Sequence, residues 1–217
     1  LNLCSNNIEN ITPIGSNVNL ETLYIGGNEL NDISILKNLS KLTTLDIAGN
    51  NIHDISVLTQ LNNLKSLILS SCTTRSISPN MVGVYGSNPL KDGYLEVISK
   101  LTGLKELCIE MANITNIECL STLTNLTELS VSRNKITDIN AISGLTNLRT
   151  LDLKYNNISD ISALSGLTNL TYLYLYSNNI SDISVLSGLT NLTNLNLEEN
   201  IIQRTIAKNG IQEIELP

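Results

Sequence analysis

NNISDISALSGLTNLTYLYLYSNNISDISVLSGLTNLTNLNLEEN, residues 156–200, restates itself after 22 residues. Read from the preceding strand start, its apolar residues fall at offsets 0, 2, 7, 10, 13, 16 and 19: Leu151, Leu153, Ile158, Ile161, Leu164, Leu167 and Leu170. An amphipathic helix does not give that spacing. Only Leu-x-Leu alternates, and it reads as a short strand with both leucines on one side.

Outward from this stretch the pattern covers almost the whole chain. Strand starts fall at Leu1, Leu23, Leu45, Leu67, Leu107, Leu129, Leu151, Leu173 and Leu195, and seven of the eight steps are 22 residues. The step from Leu67 to Leu107 is 40, one period plus 18. An Asn column stands at offset 5: Asn6, Asn28, Asn50, Asn134, Asn156, Asn178 and Asn200. A buried amide donates twice and accepts at its carbonyl, so a stacked column of Asn can satisfy turn backbone between coils. One unit cannot bury its apolar face alone, whereas stacked units share a continuous core. With no Trp, no Phe and seven Tyr, that core must be aliphatic.

The seven apolar columns with their Asn column resemble the 22-residue leucine-rich repeats of bacterial internalins and related surface proteins. Regulatory subunits of protein phosphatase 1 carry a similar unit, while the Ser-Asp-Ile-Ser and Leu-Thr-Asn-Leu wording leans bacterial. The resemblance implies an α/β repeat solenoid, a right-handed curved stack with a parallel concave sheet of about nine strands. It also implies a protein-binding module, on a bacterial surface for adhesion or host recognition; the alternative is a cytoplasmic scaffold or phosphatase regulator.

Residues 1–217 are expected to form a single domain of about nine repeats, with the 18 extra residues within 78–97 and a degenerate coil over 201–217. In that last coil Arg204 and Lys208 replace the usual Asp and Leu, Ile211 and Ile214 keep buried offsets, and Pro217 falls on the next strand start. Tyr94, Leu95, Ile98 and Leu101 follow i, i+1, i+4, i+7 spacing and predict a short helix in place of the usual turn. The insertion is expected to pack on the solenoid edge and hold its two flanking coils, where Cys72 and Ala112 interrupt the Asn column. The chain begins at a strand Leu without a polar end-cap, so it reads as a segment of a longer protein.

A net charge of −7 disfavours nucleic acid, and no run of 18 apolar residues is present to insert in a membrane. A polar or basic protein surface is the favoured partner, and the sequence sets no oligomeric state. Cys4, Cys72, Cys108 and Cys119 lack metal-ligand spacing, so no metal and no cofactor is expected. On the solenoid they lie apart, with Cys4 and Cys108 on the exposed side of the strands, and all four read as free thiols. The one histidine, His53, sits beside Asp54 on an outward turn with no second ordered element, and no enzyme is expected.

Function must then lie on the displayed face of the strands. Early coils offer mostly small groups there, including Cys4, Gly26, Gly27, Ala48, Gly49, Ser70 and Ser71, while later coils carry charges and rings. Tyr172, Tyr174 and Tyr176 alternate with Leu173 and Leu175, so the three rings emerge on one side and Tyr155 is expected to join them. Asp152, Lys154, Arg133 and Glu198 complete the candidate partner-binding set.

Overall fold

A computed structural model describes residues 1–70, 72, 86–90 and 93–202. Each coil opens with a three-residue strand centred on the first leucine of Leu-x-Leu. These are β1 (Thr22–Tyr24), β2 (Thr44–Asp46), β3 (Ser66–Ile68), β4 (Glu106–Cys108), β5 (Glu128–Ser130), β6 (Thr150–Asp152), β7 (Tyr172–Tyr174) and β8 (Asn194–Asn196). All pair in parallel and in chain order, which places Leu23, Leu45, Leu67, Leu107, Leu129, Leu151, Leu173 and Leu195 level across the sheet. In the first coil the strand is reduced to one parallel bridge, Asn2 to Tyr24. The whole is a right-handed curved leucine-rich-repeat solenoid.

The return path carries 3₁₀ turns such as Ser34–Asn38, Ser56–Gln60 and Ser162–Gly166, because a 22-residue coil is too short for full helices. An acidic or amide side chain ahead of each turn accepts a backbone N–H two residues on, as Asp32 does from Ser34 at 2.7 Å and Asp160 from Ser162 at 2.8 Å. Those bonds favour the carboxylate and hold Asp160 and Asp182 below their ordinary pKa. The long step departs from this pattern. It carries α1 (Tyr94–Ser99), the helix its spacing predicts, with Ile98 and Leu101 buried on the core and Tyr94 and Leu95 packed against it.

The Asn column works in one geometry throughout. Asn156 Nδ2 donates to Val131 O at 3.1 Å in the preceding coil and to Leu153 O at 3.0 Å in its own, while its Oδ1 accepts Ile136 N–H at 3.0 Å. Asn50 repeats this with Ile25 O, Ile47 O and Leu30 N–H, and Asn28, Asn178 and Asn200 do likewise. At the interruption Asn88 takes over. Its Nδ2 donates to Ile47 O at 2.8 Å and Leu69 O at 3.0 Å, and its Oδ1 accepts Ile52 N–H at 3.2 Å. These are the three groups an Asn at position 72 would serve. The break at Ala112 leaves neither neighbouring carbonyl stranded, since Leu69 O is met by Asn88 and Ile109 O by Asn134.

With its column duty supplied from elsewhere, Cys72 meets Cys108 and Glu110. One donor atom from each lies within 4.8 Å of the others, and all three residues are buried. The expectation that Cys108 lies exposed and far from other thiols is therefore corrected. Spacing along the repeat could not show that a residue outside the column, Asn88, would free Cys72 from it. All four cysteines are free thiols. Titration of the unfolded, unreduced chain should count four, and a lower count would reveal a pair joined as a disulfide.

Arg204, Lys208, Ile211, Ile214 and Pro217 lie outside the described residues, as do Ser71 and half of the 78–97 stretch.

Candidate binding face

Side chains on the inside of a curved sheet converge, and the middle of the concave face is closed for that reason. Asp46, Ala48, Ile68, Ser70, Cys108, Glu110, Ser130, Ser132 and Asp152 are all buried. Ala48, Ser70 and Asp152, expected to be displayed, are corrected accordingly. Asp152 turns its carboxylate onto Lys154 at 3.0 Å and accepts the Lys154 N–H at 3.1 Å, so it braces that lysine instead of reaching outward. Burial raises the Asp152 pKa, Lys154 opposes the shift, and nearby Glu110 adds to it.

Asp46 is the parallel case among the early coils. Its Oδ1 accepts the Ala48 N–H at 2.9 Å, and Gly26 makes room, since a Cβ there would stand 3.0 Å from that oxygen. Burial lifts the Asp46 pKa to about 6. A folded-state pKa above the unfolded value of about 3.9 means that stability is fullest below pH 4 and falls as pH rises to 6. Asp46→Asn keeps the acceptor without the charge and should stabilise the chain by about 1 kcal/mol at pH 7. Thermal melts at several pH values check this. The gain should vanish below pH 4, and a gain that persists there would have another cause.

Openness returns at the carboxy-terminal coils. Arg133 and Tyr155 are exposed; Lys154, Tyr174 and Tyr176 are half-buried. The Arg133 guanidinium lies 4.2 Å from the centre of the Tyr155 ring. Tyr155 meets Tyr176 edge to face, with centroids 5.0 Å apart at 71°. The Glu199 carboxylate, with lesser help from burial, raises the Tyr176 pKa. Lys154 Nζ lies 5.3 Å from the Tyr174 ring centre. The result is one connected band across four coils, Arg133, Tyr155, Tyr176 and Glu199, with Lys154 and Tyr174 alongside. Glu198 is exposed next to it. Tyr172 is also exposed, but among the described residues its ring stacks on none of the others.

Glu199 escaped the sequence reading, and so did the reason these side chains stand where they do. Offset 4, just before the Asn column, is left-handed in coil after coil: Ser5, Gly27, Gly49, Met111, Arg133, Tyr155, Ser177 and Glu199 have φ between 53° and 66°. Glycine takes this conformation freely, whereas other L-residues lose about 1–2 kcal/mol in it. Early coils use Gly27 and Gly49. Later coils hold Met, Arg, Tyr, Ser and Glu there despite the strain, and three of those five belong to the band.

A family model described as leucine rich repeats, two copies, matches residues 102–145, 124–166, 146–179 and 168–215, and a second leucine rich repeat model matches 38–58. No curated protein matches the sequence. Among solved structures, internalin C2 of Listeria monocytogenes is 33% identical with a TM-score of 0.76, over 88% of this chain and 77% of that one. An internalin (inlF) of the same organism is 34% identical with a TM-score of 0.58, over 92% and 66%. The plant peptide hormone receptor RGFR1, solved in complex with RGF2, is 25% identical with a TM-score of 0.60, over 88% and 34%. Repeat by repeat and strand by strand, this chain belongs to the internalin-like leucine-rich repeat proteins and is a protein-binding module.

Proposed function

We propose that residues 1–217 act as one extracellular recognition domain on a bacterial cell surface, serving adhesion or host recognition through the carboxy-terminal part of the concave face. The observation that carries this reading is the Arg133, Tyr155, Tyr176 and Glu199 band, three members of which are held in left-handed positions where glycine would be easier. Tyr offers large contact area with few rotors and a polar tip, and Tyr and Arg are enriched among interface hot spots. Acidic Glu198 and Glu199, in a chain of net charge −7, favour a partner with a polar or basic surface and disfavour nucleic acid. Among the described residues no helix is long and apolar enough to cross a membrane.

A photo-crosslinker at position 176, compared with one at exposed Gln60 on the convex side, tests the reading on intact host cells. Capture of a cell-surface protein from position 176 alone supports it. Equal capture from both positions, or capture from position 60 alone, rejects the concave site. Four free thiols favour a second reading, an intracellular scaffold, because thiols persist in reducing surroundings. Co-purification of a phosphatase with the chain from cytosol would select that reading.

A further inference from the structure

We infer that Cys72, Cys108 and Glu110 form a binding site for a divalent cation of the zinc class. The three residues are 7%, 0% and 0% exposed, and their donor atoms lie within 4.8 Å of one another. Cys108 Sγ and Glu110 Oε1 stand 3.7 Å apart. Two ligands of a tetrahedral zinc, with Zn–S about 2.3 Å and Zn–O about 2.1 Å, are separated by about 3.6 Å. The pocket therefore already holds a sulfur and an oxygen at the span the ion requires.

The donor set selects the metal. Two sulfurs and one carboxylate suit zinc and its relatives, whereas calcium and magnesium take oxygen alone. Outer contacts fix the carboxylate. Ser130 Oγ donates to Glu110 Oε1 at 2.6 Å, and the Glu110 N–H donates to Ser70 Oγ. Burial, with Cys72 and Glu110 beside it, pushes the Cys108 thiol well above its ordinary pKa, so that binding must expel the thiol protons to solvent as the metal–sulfur bonds form. Three protein ligands leave the fourth tetrahedral position to water.

The location gives the ion a structural task. Cys72 belongs to the coil of β3, while Cys108 and Glu110 belong to β4 and its continuation, so the ion would clamp the two coils between which the 22-residue rhythm is interrupted. A repeat stack is held only by contacts between neighbours, and a cross-link at its one irregular step protects the weakest joint. Metal-bound thiolates would also keep two cysteines out of disulfides in an oxidising setting.

The test uses the whole chain, reduced, treated with chelator and then titrated with Co²⁺ and Zn²⁺. One equivalent of Co²⁺ should bring up the visible absorption of tetrahedral, thiolate-bound cobalt, and Zn²⁺ should abolish it. Zn²⁺ should also raise the melting temperature and shield Cys72 and Cys108, but not Cys4 or Cys119, from a thiol reagent read by mass mapping. Cys4→Ser should retain uptake and Cys108→Ser should lose it. Absence of the cobalt–thiolate absorption, the same thiol reactivity with and without Zn²⁺, or normal uptake by Cys108→Ser overturns the site. Should Cys108→Ser fail to fold, absorption and shielding in the unaltered chain decide the matter.

Discussion

Asn88→Ala should lower stability by about 2 kcal/mol or more. The change strands Leu69 O and Ile52 N–H and leaves Ile47 O to Asn50 alone, at about 1–3 kcal/mol for each buried group left without a partner. The column position itself is Cys72, which carries no amide to replace that of Asn88. Urea denaturation of the variant beside Asn157→Ala, an exposed neighbour of the column expected to change stability by about 0.5 kcal/mol or less, is the measurement. Adding Cys72→Asn to Asn88→Ala should recover part of the loss by restoring an amide at offset 5. Equal stability of Asn88→Ala and the unaltered chain would show that the insertion contributes nothing to joining the coils.

Tyr176→Ala and Tyr174→Ala should each cost about 2 kcal/mol or more in partner affinity, roughly a thirty-fold rise in Kd, with little change in melting. Tyr155→Gly separates display from structure more sharply. Its φ of 53° is unfavourable for Tyr and easy for Gly, so relief of about 1 kcal/mol of strain offsets the lost contact with Tyr176. Affinity should fall as for Tyr176→Ala while the melting temperature holds. A binding titration run beside a thermal melt of each variant provides both readings. Unimpaired affinity with a lowered melting temperature would assign the tyrosines to stiffening the sheet and would remove them from the proposed site.

What could be read from the sequence was whatever repeats locally. Leu23, Leu45 and their counterparts recur at fixed spacing, so a strand, a core and a register follow from the alignment alone. The helix at Tyr94–Ser99 was likewise written in a local i, i+4, i+7 spacing. Three features were hidden for physical reasons. Asn88 lies outside the repeat frame, and its partners Ile47 and Ile52 are 41 and 36 residues away, so no period points to it. Asp152 and Glu110 stand at offsets that a flat sheet would expose, and curvature decides otherwise. The left-handed column was masked by its own occupants, since Met111, Arg133, Tyr155 and Glu199 are not residues that announce a positive φ. Only Gly27 and Gly49 hinted at it.

The Asn column also has a direction. Each amide reaches toward the amino terminus: Asn28 serves Leu3 O and Ile8 N–H, and Asn200 serves Leu175 O and Ile180 N–H, always in the coil before its own. Removing the first coil takes those served groups away with it, and Asn28 still has Ile25 O and Gly26 O. Removing the coil of Asn200 instead leaves the Ile180 N–H behind with nothing to meet it, while Leu175 O keeps Asn178. Fraying is therefore asymmetric, easier to tolerate at the amino end than at the carboxy end. The same asymmetry governs birth on the ribosome: as the chain emerges amino end first, each turn of the solenoid waits with one open backbone N–H until the Asn of its successor has been made.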